Sequence, residues 1–88
     1  PADLALGPVA PNPIAGRAAV PFTLARASRV SLRLVDVQGR TVRTLAEGAF
    51  PAGAHTASLD GSGLAAGVYL VRLEAEGAAR TVTVTVVR

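Results

Sequence analysis

Cysteine, methionine, tryptophan and lysine are all missing from this 88-residue chain, which has one tyrosine and two phenylalanines. Without cysteine, neither a disulfide framework nor a thiolate metal site can hold the fold. The shortage of aromatics removes the stacking platforms that single-strand nucleic-acid binders use. It also argues against a typical carbohydrate-binding face. No apolar run approaches the length of a membrane span, so a membrane-spanning role is not expected. No segment reads as a signal peptide. The start at Pro1 predicts a piece cut from a larger polypeptide, with any export signal upstream. His55 is the only histidine, and neither a zinc set nor a nucleophilic triad can be assembled around it. No two acids sit at a spacing that points to glycosidase chemistry. An enzyme is therefore not expected, and no cofactor is implied.

What is present is small, aliphatic and basic. Half of the residues are apolar, mostly Ala, Val and Leu, and the net charge is +3. All nine basic residues are arginines, scattered from Arg17 to Arg88 with acids between several of them. Such scatter is a solvated surface rather than a nucleic-acid footprint. This length gives one domain, residues 1–88. A core of small side chains needs many contributing segments, which suits a sandwich of short strands.

The chain reads as seven short β-prone runs divided by Gly, Pro and Asp. Leu4 and Leu6 alternate before a Pro-rich break at residues 7–13, of which Pro8 to Pro13 could serve as a linker. Val20, Phe22 and Leu24 share a face, with Pro21 on the other, which predicts an edge strand or a bulge there. Val30, Leu32 and Leu34 follow, with Ser31 and Arg33 outward. Asp36-Val37-Gln38-Gly39-Arg40 is a tight hairpin turn, because Gly39 can take a positive φ. Residues 41–46 return as a strand that slips parity between Val42 and Leu45 through a bulge. Pro51-Ala52-Gly53 turns the chain, and His55, Ala57 and Leu59 share a face. Glu76-Gly77 turns it again before Thr81 to Val86, which alternates perfectly.

Few motifs carry chemistry. Gly61-x-Gly63-x-x-x-Gly67 has phosphate-loop glycines, but a β-branched strand follows where such a loop would open a helix. Asp60-x-Ser62 is a fragment of a calcium loop, with Asp36 and Glu47 the only other plausible oxygen donors. An Asx turn at Asp60 is the simpler expectation. His55 reads as a structural hydrogen-bonding residue, and Phe50 as the one aromatic left to be exposed.

The most specific stretch is Leu64-x-x-Gly67-x-Tyr69-x-Val71-x-Leu73. Tyr69, Val71 and Leu73 share one parity, and Arg72 and Glu74 the other. A lone tyrosine entering a late strand through Leu-x-x-Gly-x-Tyr resembles the tyrosine corner of Greek-key sandwiches, whose hydroxyl bonds backbone a few residues upstream. The fold expected is a seven-stranded antiparallel Ig-like, Greek-key β-sandwich.

Four segments, taken in order, carry a family resemblance over residues 11–88. They are Pro11-Asn12-Pro13, the Val30–Val42 hairpin with its Asp-Val-x-Gly-Arg turn, Phe50 to Thr56, and Leu59-Asp60-Gly61 through Leu73. This order resembles the type A C-terminal sorting domains of the bacterial type IX secretion system. It is also similar to the related Ig-like domain of the flagellar hook-capping protein. The sorting family commonly has Trp where this chain has Leu59, and Lys near the last strand where it has Arg80 and Arg88.

The resemblance implies a non-catalytic address label at the end of a secreted protein. It implies an outer-membrane translocon and a sortase-like peptidase as partners, and an upstream cargo domain. A monomer is expected. The label would pass through the periplasm and reach the outer-membrane surface or the medium, where cargo is released or attached. The residues it brings forward are Gly67 and Tyr69 of the Gly-x-Tyr motif, and Arg80, Val82, Val84, Val86 and Arg88 of the last strand. Outward Val35, Val68 and Leu70 could add an apolar patch, and the last strand could offer a free edge. An Ig-like module that binds glycan or another protein, or serves as a spacer, is the alternative. Saturable glycan binding lost in Phe50→Ala would favour it.

Overall fold

The computed structural model describes residues 4–75 and 77–87. It is all-β, with seven strands: β1 (Leu4–Leu6), β2 (Arg17–Leu24), β3 (Ser28–Asp36), β4 (Thr41–Phe50), β5 (Gly53–Asp60), β6 (Gly67–Ala75) and β7 (Ala78–Val86). They form two antiparallel sheets, β1-β2-β5 and β4-β3-β6-β7, packed as a sandwich. The side-chain period of two builds the core directly. Val20, Phe22 and Leu24 from one sheet meet Val30, Leu32, Leu34, Val71, Leu73 and Val84 from the other, all at 4% exposure or less.

The Asp36–Arg40 turn closes as the sequence predicts. Gly39 has φ +87°, and its N–H donates to the Asp36 carbonyl. The Asp36 carboxylate accepts from the N–H groups of Gln38 and Arg40 and from Arg40 Nε, each at 2.9 Å. The return strand slips twice, with Val42 and Leu45 each left without a partner on β3. Both side chains thereby pack against the core. β4 then continues past residue 46 to Phe50, so the predicted strand was too short.

Pro21 corrects the sequence reading. β2 is the central strand of its sheet and has no bulge against either neighbour. The Pro21 carbonyl accepts from Gly7 N–H, so its nitrogen, which has no proton to give, faces the same side. On that side β1 has ended at Leu6, and pairing resumes only where Ala10 and Ala19 exchange hydrogen bonds of 3.1 and 2.8 Å. Proline therefore sits where β1 ends: Gly7 N–H still pairs with its carbonyl, and only the reciprocal bond, for which proline has no donor, is missing.

The Pro-rich break is not a linker either. Val9 and Ile14 are buried, Ile14 completely, and this segment runs across the sandwich to the far edge of β7. Asp60-Gly61 closes the same end. Gly61 N–H donates to the Gly16 carbonyl at 2.7 Å. A Cβ on Gly61 would stand 2.9 Å from that oxygen and 3.4 Å from Ile14 Cγ2, so the approach requires glycine.

Candidate functional site

The residues singled out from the sequence lie on β6, β7 and the corner before them. Leu64 is buried at the corner, and Gly67 starts β6 with φ +151°, a conformation that favours glycine. Tyr69 turns inward at 9% exposure, and its hydroxyl donates to the Ala65 carbonyl at 2.6 Å. This is the predicted tyrosine corner. The ring adds to the core, while the hydroxyl satisfies a carbonyl of the loop that crosses between sheets.

β7 pairs with β6 in unbroken register, from Gly67↔Val86 to Ala75↔Ala78, and forms one edge of the four-stranded sheet. Its valines face inward: Val84 and Val86 are buried, and Val82 is partly buried against the core. Their side chains are committed to packing. What β7 presents outward is Thr81, Thr83 and Thr85 and the edge of its backbone. Arg80 Nη1 bonds the Ala79 carbonyl at 2.8 Å. Arg88 lies outside the described residues, as does Glu76 of the predicted turn.

The β7 edge carries an unpredicted cover. Ile14 pairs parallel with Val86: its N–H donates to the Thr85 carbonyl at 2.7 Å, and its carbonyl accepts from Val87 N–H at 2.9 Å. Asn12 extends this pairing with its side chain alone. Its Nδ2 donates to the Thr83 carbonyl at 3.4 Å, and its Oδ1 accepts from Thr85 N–H at 3.1 Å. A carboxamide has both a donor and an acceptor, so it can stand in for a peptide group. The Pro-Asn-Pro element, noted from the sequence only as a marker, thus guards the strand.

The outward face of the four-stranded sheet is mixed. Val35 has outward parity yet is buried, between Leu70 on β6 and Thr41 on β4, so the expected apolar patch is reduced there. Val68, Val37 and Val87 remain exposed at the end that carries the β3–β4 turn. Farther along, Arg33 and Arg72 stand directly opposite each other. Glu74 reconciles them, at 3.5 Å from Arg33 and 3.1 Å from Arg72. Exposed pairs of this kind contribute about 0–1 kcal/mol. An open groove of about 430 Å³ runs beside them, lined by Arg29, Ser31, Glu47, Glu74 and Ala78 among others.

No other feature offers chemistry among the described residues. His55 stacks on Phe22 at 5.2 Å, and Phe50 packs edge-on against both rings. His55 Nε2 lies 2.8 Å from the Pro51 carbonyl oxygen, the structural role expected. Phe50 is thus half-buried in a ring cluster that joins the two sheets, not an open platform. Asp60 accepts from Ser62 N–H at 3.0 Å, which is the Asx turn. That N–H holds its carboxyl below the usual range, helped by the Ser62 hydroxyl; desolvation opposes them, and Arg17 and Arg43 add lesser lowering effects. No group of three or more His, Cys, Asp or Glu among the described residues could hold a metal ion. Among the described residues, no helix is long and apolar enough to cross a membrane.

A family model described as the secretion system C-terminal sorting domain matches residues 8–88. No curated protein and no solved structure matches the chain.

Proposed function

The chain belongs to the family of secretion system C-terminal sorting domains, and from that membership we propose how it works as an address. The family serves type IX secretion, and this chain is a sorting domain of that system. We infer that it is carried at the end of a larger secreted protein and takes that cargo across the outer membrane. It does so without catalysis of its own. The outer-membrane translocon reads the folded sandwich on the side formed by β6 and β7, and a sortase-like peptidase then separates label from cargo. Cargo ends in the medium or attached to the outer-membrane surface.

The observation that carries this reading is the extent of the family match. Residues 8–88 include β2 to β7 and the segment that guards β7. The geometry adds a division of labour. Gly67 and Tyr69 act through the fold, because one sets the backbone of the corner and the other is buried in it. The surface that remains for recognition is the outward face and edge of β7, with Arg80 at its start.

A periplasmic reporter fused ahead of the 88 residues, in a host with a type IX system, should reach the medium or the cell surface. Retention in the periplasm, while an established label exports the same reporter, would sink the reading. Deleting residues 82–88 should abolish export. Because Val84 and Val86 belong to the core, the melting temperature of that variant must be measured alongside.

A further inference from the structure

The backbone of β7 alternates strictly, so its odd-numbered residues aim their N–H and C=O groups away from β6. The bonds just described establish the parity: Thr83 C=O, Thr85 N–H and C=O, and Val87 N–H all point to the free edge. The unbroken register carries the same parity back to Thr81 and Ala79. Asn12 and Ile14 satisfy the groups from the Thr83 carbonyl onward. Toward the start of the strand only the Ala79 carbonyl is covered, by Arg80. Ala79 N–H, Thr81 N–H, Thr81 C=O and Thr83 N–H have no partner among the described residues. Ala79, Thr81 and Thr83 are all exposed. β1 of the opposite sheet lies near β7, but no hydrogen bond joins the two strands.

The closed and open halves differ in permanence. Ile14 is fully buried and packed against Gly61, so the guard cannot leave without emptying part of the core. Arg80 is only a flexible side chain turned back on its neighbour's carbonyl, and it can swing aside. Native edge strands are usually blunted along their length, because unpaired backbone is a template for another strand. Here blunting is firm on one half and removable on the other.

We propose that the first half of β7, Ala79 to Thr83, is a strand-addition site for an extended segment of a partner protein. The partner's backbone takes the N–H and C=O of Thr81 and the N–H of Thr83. Displacement of Arg80 frees the Ala79 carbonyl for one more bond. Asn12 sets the limit of the added strand. Main-chain pairing of this kind supplies affinity without demanding a particular side chain on this domain. The partner's identity as a component of the type IX machinery rests on the sorting reading above.

Thr81→Pro tests it, because proline deletes the outward N–H and is tolerated on an edge. Thr81→Val keeps the backbone and changes only the side chain. In the reporter fusion, a folded Thr81→Pro domain should lose export at least tenfold, and Thr81→Val should export like the parent. Equal export by a folded Thr81→Pro domain would overturn the proposal and leave the sorting reading standing. Equal loss in Thr81→Val would also overturn it, since the side chain would then be what is read. If Thr81→Pro does not fold, a photoreactive p-benzoylphenylalanine at position 81 of the exported fusion decides. A covalent adduct with a type IX component, absent when the group is at position 58 on β5, supports the site. No adduct at 81 rejects it. A purified parent domain that dimerises, and becomes monomeric in Thr81→Pro, would assign the edge to a second copy instead and overturn the proposal. Retention of the unaltered fusion would remove the sorting reading and this inference with it.

Discussion

Tyr69 and Asn12 each use one side chain to do the work of a missing strand, yet they do so in opposite surroundings. Tyr69 reaches from inside the sandwich to the Ala65 carbonyl at 2.6 Å, and its ring is nearly buried. Asn12 reaches from outside to Thr83 and Thr85 at 3.4 and 3.1 Å, and is exposed. A buried polar group left without a partner costs its desolvation, about 1–3 kcal/mol, whereas water can replace an exposed one. The corner therefore unites its packing and its hydrogen bond in one residue. The guard separates them: Ile14 supplies the burial, and Asn12 supplies only the pairing.

That separation can be broken at its stronger member first. Ile14→Ala should destabilise the domain by about 2–5 kcal/mol, the range for large-to-small changes in a core, measured by urea unfolding. A loss under about 1 kcal/mol, below that range, would mean that the guard is not anchored as described. Tyr69→Phe keeps the ring and removes the hydroxyl, so about 1–3 kcal/mol should go, with little change in the far-ultraviolet spectrum. Asn12→Ala should cost under about 1 kcal/mol, because water replaces the carboxamide. Amide exchange at Thr85 should nevertheless quicken at least tenfold, and unchanged exchange would show that Asn12 does not close the edge.

The smallest effect is electrostatic. The Arg40 N–H chiefly holds the Asp36 carboxyl below its ordinary value of 3.8, with further help from the Arg40 side chain and Gln38 N–H. A lowered folded-state pKa gives stability that is present above the unfolded value and is lost as pH falls through the folded one. Parent and Asp36→Asn should thus differ slightly at neutral pH and converge as pH drops below 3.8. A difference that grows in acid would contradict the turn geometry.

What could be read in advance follows from how local each signal is. The β6 alternation, the Asp36–Arg40 turn and the Leu-x-x-Gly-x-Tyr corner each lie within a dozen residues, and all three formed as expected. Pro21 misled because its exemption depends on where β1 stops, a fact about a different strand. Residues 7–13 read as a break because their partners, Ala19 and Thr83 to Val87, are distant in sequence. The glycine at 61 had a comparable cause, since its need arises from Gly16 and Ile14. At the recognition surface, alternation located β7 and its inward valines. Which half of its edge is open depended on Asn12, more than seventy residues away.

One consequence of the corner is practical. Tyr69 is the sole tyrosine of a chain without tryptophan, so its phenol dominates the near-ultraviolet absorption and emission of the domain. Because that phenol is tied to Ala65, light reports on a single hinge between the two sheets. The intact label carries its own fluorophore. Its unfolding and refolding can be followed optically without attaching a dye to the surface on which recognition depends.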